Sequence, residues 1–367
     1  MVSACGHCGA DVSAATQQCR HRYEHIDLPP IRPVVTRVEI VGGRCGGCGH
    51  RYHAEAPASM TAGTPFGPGI RSLMMYLHHS HHVGFERLSS MLRELFGLTI
   101  SEGANLQKGH RRRLPPLGAD LDEARKVIQD KLLTARIIAS DETTTRVGVA
   151  THWQWVFLSD KAVLHRIAPN RARSVAGKVL GGHKPDMWIS DRYSGQQELG
   201  HSHQVCLTHV LRDCPARRAV RDRLRRYDLR AKDPQRSALS DLRGKAMRPA
   251  EGQHLGRLPA RAANKLDRLV TWTVAHPAGQ VLNKQIKAWR TKFFVVLTDR
   301  EVPATNNISE REIRPSVGFR KVTNGFRSNW GAQIHAGYRS VTGTARPRGQ
   351  PALQVIRDLI GGNFAVA

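Results

Sequence analysis

The segment TARIIASDETTTRVGVATHWQWVFLSDKAVLHRIA, Thr134 to Ala168, decides the fold. Short β-branched and aromatic runs separated by polar breaks predict three strands in succession: roughly Ala135 to Ala139, Thr145 to Phe157 with its own break, and Ala162 to Ile167. Asp141 follows the first of these directly. Further on, a helical stretch from Arg173 to Leu180 ends at Gly181 and Gly182, and PDMWISD gives a short strand that delivers Asp191 just past its end. Two acids beyond the C-terminal ends of hydrophobic strands share one rim if those strands pair in one sheet. An Asp in such a place is more often a turn or cap residue, so position alone assigns neither a role.

Downstream, HQVCLTHVLRD reads as a short strand and then a helix with Cys206 and His209 at its start. Residues 214–291 are almost free of strand signal and dense in arginine, which predicts a basic helical insertion. Sheet-like patterning resumes with KFFVVLTDREVP from Lys292 and leads into VPATNNISEREIRPSVGFRK, Val302 to Lys321. Thr305, Asn306 and Asn307 can accept from free backbone N–H groups, so a helix begins there. Glu310 then lies about a turn inside, Glu312 faces another side, and Arg311, Arg314, Arg320 and Lys321 follow. A carboxylate among cations suits a site where acid holds a divalent metal and bases hold phosphates. A solvated helix with i,i+4 ion pairs is the plain alternative. ALQVIRDLI, within 346–367, reads as a closing helix before the tail.

The chain has 367 residues, with 56 Lys and Arg against 30 Asp and Glu, a formal net charge of +26. Its length suits two or three domains, and the charge favours a polyanionic partner, nucleic acid above all. No apolar run reaches the ~20 residues that span a bilayer, and no signal peptide is evident, so a cytoplasmic protein is expected. Seven cysteines in that setting favour metal over disulfides. Cys5 and Cys8 in CGHC, with Cys45 and Cys48 in CGGC, predict a zinc ribbon over 1–55, with Val34 to Val41 as the strand between knuckles. Cys19, His21, His25 and His50 are further candidate ligands, and redox-active pairs are the alternative.

Ala54 to Pro68 reads as a linker, and residues 56–128 as mainly helical. A helix ending near Glu94, a turn holding Gly97 and a new helix capped at Ser101 form a helix-turn-helix pattern. Asn105, Lys108, Arg111, Arg112 and Arg113 would be its groove or backbone contacts, although a plain helical hairpin has the same signature. The group His78, His79, His81 and His82 spreads over more than one helix face, which favours packing or surface roles over a metal site.

Asp141, Asp191 and Glu310, with a meander after the first and a helical insertion before the third, fit an α/β fold. The expected architecture is an RNase H-like catalytic core, a mixed sheet with flanking helices, split by the insertion into 129–213 and 292–345. The blocks ASDETTTRV, ISDRYSG with VCLTHVLRD, and VPATNNISEREIRPSVGFRK resemble those of the insertion-sequence-sixty-six family of DDE transposases, as does the paired-cysteine N-terminus followed by YEHIDLPPIRP. The resemblance runs from about Cys5 to Ile360, with Arg192, Leu207 and Thr208 departing from the family pattern. It implies that Asp141, Asp191 and Glu310 hold two Mg²⁺ or Mn²⁺ ions for cutting element ends and joining the 3′-hydroxyl to target DNA. It also implies phosphate contacts by Arg311, Arg314, Arg320 and Lys321. Implied partners are double-stranded DNA at the ends and target, further copies of the chain assembled on it, and helper proteins of the same element in a bacterial nucleoid. A zinc-ribbon DNA-binding regulator without catalysis, and an RNase H-like nuclease without strand transfer, are the alternatives.

Overall fold

The computed structural model describes residues 2–57 except 20 and 30, together with 60, 66–101, 117–212, 264, 267, 268, 271 and 277–364. At its centre is a five-stranded mixed sheet built from β3 (Ile137–Val147), β4 (Ala150–Leu158), β5 (Val163–Ala168), β6 (Met187–Ser190) and β7 (Ser202–Val205). The spatial order is β5-β4-β3-β6-β7. The first three strands form an antiparallel meander, while β6 and β7 run parallel to β3.

Side-chain alternation on these strands is apolar on both faces, as expected for a sheet covered on both sides. Ile138, Trp155, Phe157 and Trp188 point into one core, while Ala139, Val156, Leu158 and Ile189 point into the other. The first core is shared with α3 (Leu117–Leu133), α4 (Arg173–Leu180), α8 (Asn329–Ala345) and α9 (Ala352–Ile360). Ile313, on the inner side of α7 (Asn307–Thr323), closes the second. Burying Trp155 and Trp188 completely contributes on the order of 2–3 kcal/mol each through lost apolar surface.

Asp141 lies inside β3, because the strand does not stop near Ala139 but runs on to Val147 as one piece. Pairing with β4 continues from Ala139 opposite Leu158 to Val147 opposite Ala150, and this tertiary partner carries the polar stretch Glu142 to Thr145 in extended form. Its far end is met by the loop after α7. Gly325, at φ +97°, approaches so closely that an added Cβ would stand 2.5 Å from the Arg146 carbonyl, and Phe326 N–H donates to that carbonyl at 2.8 Å.

The segment around and beyond Lys292 is not a strand. It forms 3-10 turns at Arg290–Lys292 and Val295–Leu297, because Gln204 on β7 donates to the Phe293 carbonyl and accepts from Val296 N–H. Nor is Val34 to Val41 a strand. The short pair β1 (Gly42–Arg44) and β2 (Arg51–His53) brackets the second cysteine knuckle instead.

Near the start, α1 (Pro68–His79) and α2 (Phe85–Phe96) form a small core of Met74, Leu88, Leu92 and Ile100. Gly97, at φ +66°, ends α2 with its N–H on the Arg93 carbonyl. The second helix expected of a helix-turn-helix lies outside the described residues, with Asn105, Lys108, Arg111, Arg112 and Arg113. So does most of 214–291, whose last part is α6 (Pro277–Trp289). His78 and His79 are buried packing residues: His78 stacks on Phe85, and His79 lies against His335 and Tyr338.

Candidate active site

Ala139 on β3 pairs with Ile189 on β6, and Asp141 and Asp191 each stand two residues further along. Parallel neighbours ~4.8 Å apart therefore bring the two acids to one level of the sheet. Asp141 Oδ1 accepts the Glu142 N–H at 2.9 Å, and Asp191 Oδ1 accepts the Tyr193 N–H at 2.8 Å, so the backbone fixes the direction of each carboxylate. Burial, followed by the negative fields of Glu142, Asp191 and Glu310, pushes the Asp141 carboxyl up to about 7.

Glu310 comes from the other side. Asn306 stands at the N-cap position of α7 and is almost wholly buried, and its side-chain amide donates to the Ser140 carbonyl at 2.8 Å. Asn306 N–H also approaches Cys206 Sγ at 3.2 Å, and Ser309 Oγ donates to Asn306 Oδ1 at 2.6 Å. The start of the third acid's helix is thus bonded to the residue preceding the first acid. Glu310 sits in the first turn, where the positive end of the helix favours a carboxylate. His209, in α5 (Leu207–Arg212), places Nδ1 3.7 Å from Glu310 Oε1.

The acids do not all close on a single point. Among the described residues, the one trio of His, Cys, Asp or Glu whose ligand atoms all lie within 4.8 Å of one another is Cys206, His209 and Glu310. The C-x-x-H spacing at a strand-to-helix junction was the sequence signal for it. Glu142 is a further acid that sequence reasoning missed. It is buried beside Asp141, accepts from Arg171 Nε at 2.6 Å and is also bonded by Gln196. Burial and Asp191 raise its carboxyl, and Arg171 opposes them. The Arg171 guanidinium lies 3.6 Å over the Tyr193 ring and 3.9 Å from Asp191 Oδ2, so it links the two acids. Nothing local in the sequence marks that bridge.

Glu312, two residues beyond Glu310, faces the opposite way. It is buried and bonded at 2.6 Å by both Arg339 and Arg346, with His165 Nε2 at 3.5 Å. Burial raises its carboxyl, but His165, Arg339 and Arg346 outweigh that and hold it at about 2. Arg311, Arg314 and Lys321 are exposed on α7. Arg320 instead turns inward and donates to both the carbonyl and the hydroxyl of Thr144, which ties α7 to β3.

The two cysteine knuckles share one backbone pattern. Cys5 N–H donates to Ala10 and Gly9 N–H to Cys5, while Cys45 N–H donates to His50 and Gly49 N–H to Cys45. Gly9 and Gly49 take φ +74° and +70°, a conformation that suits glycine. Backbone N–H groups of Cys8 and His7 lower the Cys5 thiol, and those of Cys48 and Gly47 lower the Cys45 thiol. The four sulfurs are not gathered within 4.8 Å of one another.

No curated protein matches the chain. Among solved structures, the catalytic domain of Mos1 mariner transposase is similar at 13% identity over 49% of this chain and 93% of that one, with a TM-score of 0.15. That score carries no structural argument. A family profile described as "Transposase IS66 family" matches residues 63–334. With most of its length inside that match, the chain belongs to the IS66 family of transposases.

Proposed function

We propose that the chain is a DDE-type DNA transposase in which Asp141, Asp191 and Glu310 hold divalent ions at the centre of an RNase H-like sheet, where β6 ends and β3 runs on past Asp141. The observation that carries this reading is the shared level of Asp141 and Asp191, with Glu310's helix bonded to Ser140 through Asn306. The strand order, a meander followed by two parallel strands, supports the RNase H-like assignment.

The donor set fits Mg²⁺ or Mn²⁺. It consists of carboxylate oxygens, and the burial and then the mutual repulsion that lift the Asp141 carboxyl are what a divalent ion offsets. When bound, the ions lower the pKa of the attacking water or 3′-hydroxyl and neutralise charge on the leaving oxygen. The protein's own part is to aim the carboxylates. Tyr193 N–H and Glu142 N–H hold two of them, and Arg171 spans Glu142 and Asp191.

Arg311, Arg314 and Lys321 are exposed along α7 from Glu310 onward and are assigned to DNA phosphates, whereas Arg320 braces α7 against β3. Asn105, Lys108, Arg111, Arg112 and Arg113 are assigned to end recognition. Cys5, Cys8, Cys45 and Cys48 are assigned to Zn²⁺, on the strength of their matching knuckles. The reaction joins two element ends to a target, so the working form is an assembly of several copies on double-stranded DNA, with helper proteins of the element as further partners. Its place is the bacterial nucleoid. No described helix is long and apolar enough to cross a membrane.

Asp191→Asn tests the reading. It removes a metal ligand and no phosphate contact, so end cleavage is lost while DNA affinity, and its salt slope of about −0.9 per phosphate neutralised, stays the same. Cleavage equal to wild type removes Asp191 from the site.

A further inference from the structure

We propose that Cys206, His209 and Glu310 form a second kind of metal site, one for a borderline-soft ion such as Zn²⁺, and that occupying it inhibits the enzyme by taking Glu310 away from the Mg²⁺ site. A thiol, an imidazole and a carboxylate, with their ligand atoms all within 4.8 Å, make a three-ligand set of the type that leaves one position for water. Bonds of about 2.0–2.3 Å in a tetrahedral zinc site with one thiolate place ligands about 3.3–3.7 Å apart. His209 Nδ1 and Glu310 Oε1 already stand 3.7 Å apart and no pair of the trio exceeds 4.8 Å, so closing it draws ligand atoms together by at most about 1.5 Å.

The surrounding backbone holds the trio in place. Cys206 N–H donates to the Ser190 carbonyl at 2.9 Å, His209 N–H to the Cys206 carbonyl at 3.2 Å, and Leu207 N–H to the Ala304 carbonyl at 3.1 Å. These bonds pin the C-x-x-H turn between the strand that leads to Asp191 and the loop that leads to Glu310. The backbone N–H of Asn306 points at Cys206 Sγ at 3.2 Å, the outer-shell donor that steadies a metal thiolate.

Softness separates the two sites. Mg²⁺ takes oxygen ligands and leaves a thiolate alone, whereas Zn²⁺ and Co²⁺ accept sulfur, nitrogen and oxygen together. On binding, the thiol proton passes to solvent and no other bond changes. Inhibition rests on Glu310 being a catalytic ligand, as proposed above; metal binding by the trio does not.

The test is Co²⁺ titration of the full-length protein, read by thiolate-to-cobalt absorption, in wild type, Cys206→Ser and His209→Gln, with the N-terminal cysteines intact in all three. Wild type should take up one more equivalent of Co²⁺ than Cys206→Ser and show extra charge-transfer intensity. His209→Gln should weaken that step by ~10-fold or more, since loss of even an outer-shell partner costs about 10–100-fold. Superimposable titrations of wild type and Cys206→Ser, both folded by circular dichroism, would overturn the site.

A second arm measures Zn²⁺ inhibition of Mg²⁺-dependent end cleavage. Relief of inhibition in His209→Gln supports the sharing of Glu310, and equal inhibition in wild type and variant overturns it. Absence of cleavage in wild type at any metal concentration, with the cobalt difference present, counts against the transposase chemistry and leaves the site standing.

Discussion

The side-chain amide of Asn306 donates to the carbonyl of Ser140 at 2.8 Å, so the residue that starts the helix of Glu310 is bonded to the residue before Asp141. The segments that carry two of the three candidate acids are thereby joined by one buried hydrogen bond. Asn306→Ala leaves the Ser140 carbonyl and the Ser309 hydroxyl without this partner. The expected loss of stability is about 1–3 kcal/mol, with a larger proportional loss of cleavage among molecules that remain folded. Denaturant unfolding beside single-turnover cleavage checks both, and a variant as active per folded molecule as wild type removes the positioning role.

Glu310 and Glu312 predict opposite outcomes from the same substitution. Glu312→Gln breaks a buried pair with Arg339 and should cost about 3–5 kcal/mol. Arg346 is largely exposed, and its share is small through solvent screening. Because Glu312 is held at about 2, its contribution is present above the ordinary carboxylate value of 4.5 and is lost as pH falls toward 2. Glu310→Gln, at a half-exposed position, should leave the melting temperature nearly unchanged and abolish cleavage. Thermal melts of both variants at pH 7 and pH 3.5 separate the cases.

Asp141 links metal binding to pH. Its carboxyl lies at about 7 in the metal-free fold, above its ordinary 3.8. The stability it contributes is therefore fully present below about 3.8 and is lost as pH rises through about 7. A divalent ion binds the ionised form, so stabilisation by Mg²⁺ should be small at pH 6 and larger at pH 8. Melting curves with and without Mg²⁺ measure this, and Asp141→Asn should flatten the difference. A Mg²⁺ effect of equal size at both pH values contradicts the assignment.

The knuckles predict zinc loss. Cys45→Ser with Cys48→Ser removes one of two matched turns, so zinc content by atomic absorption should fall and end binding should weaken. Unchanged zinc would exclude these cysteines as ligands.

What was legible in the sequence was local. The start of α7 at the Thr305 to Asn307 cluster could be read from short-range pattern, although Asn306 makes no side-chain capping bond and gives its amide to Ser140 instead. The run Met187 to Ser190 stops before Asp191 as its pattern indicates. Glu312 was separable from Glu310 because two residues on a helix turn about 200°. The length of β3 was not legible, since Glu142 to Thr145 become strand only through pairing with β4. The run after Lys292 has the composition of a strand, and the side chain of Gln204 turns it into 3-10 helix. Nothing local marked the bond from Arg320 to Thr144, a partner 176 residues away. Family membership came through the acid blocks, whereas the Glu142–Arg171–Asp191 bridge and the Cys206–His209–Glu310 trio exist only once the chain has folded.

The most direct measurement is cleavage of a labelled duplex carrying the element's own end, by wild type and Glu310→Gln, in Mg²⁺ and in EDTA. The account predicts cuts that leave a 3′-hydroxyl, require Mg²⁺ and vanish in the variant. Tight binding of both ends by wild type without cutting under any divalent ion, or cutting that survives in Glu310→Gln, would contradict it.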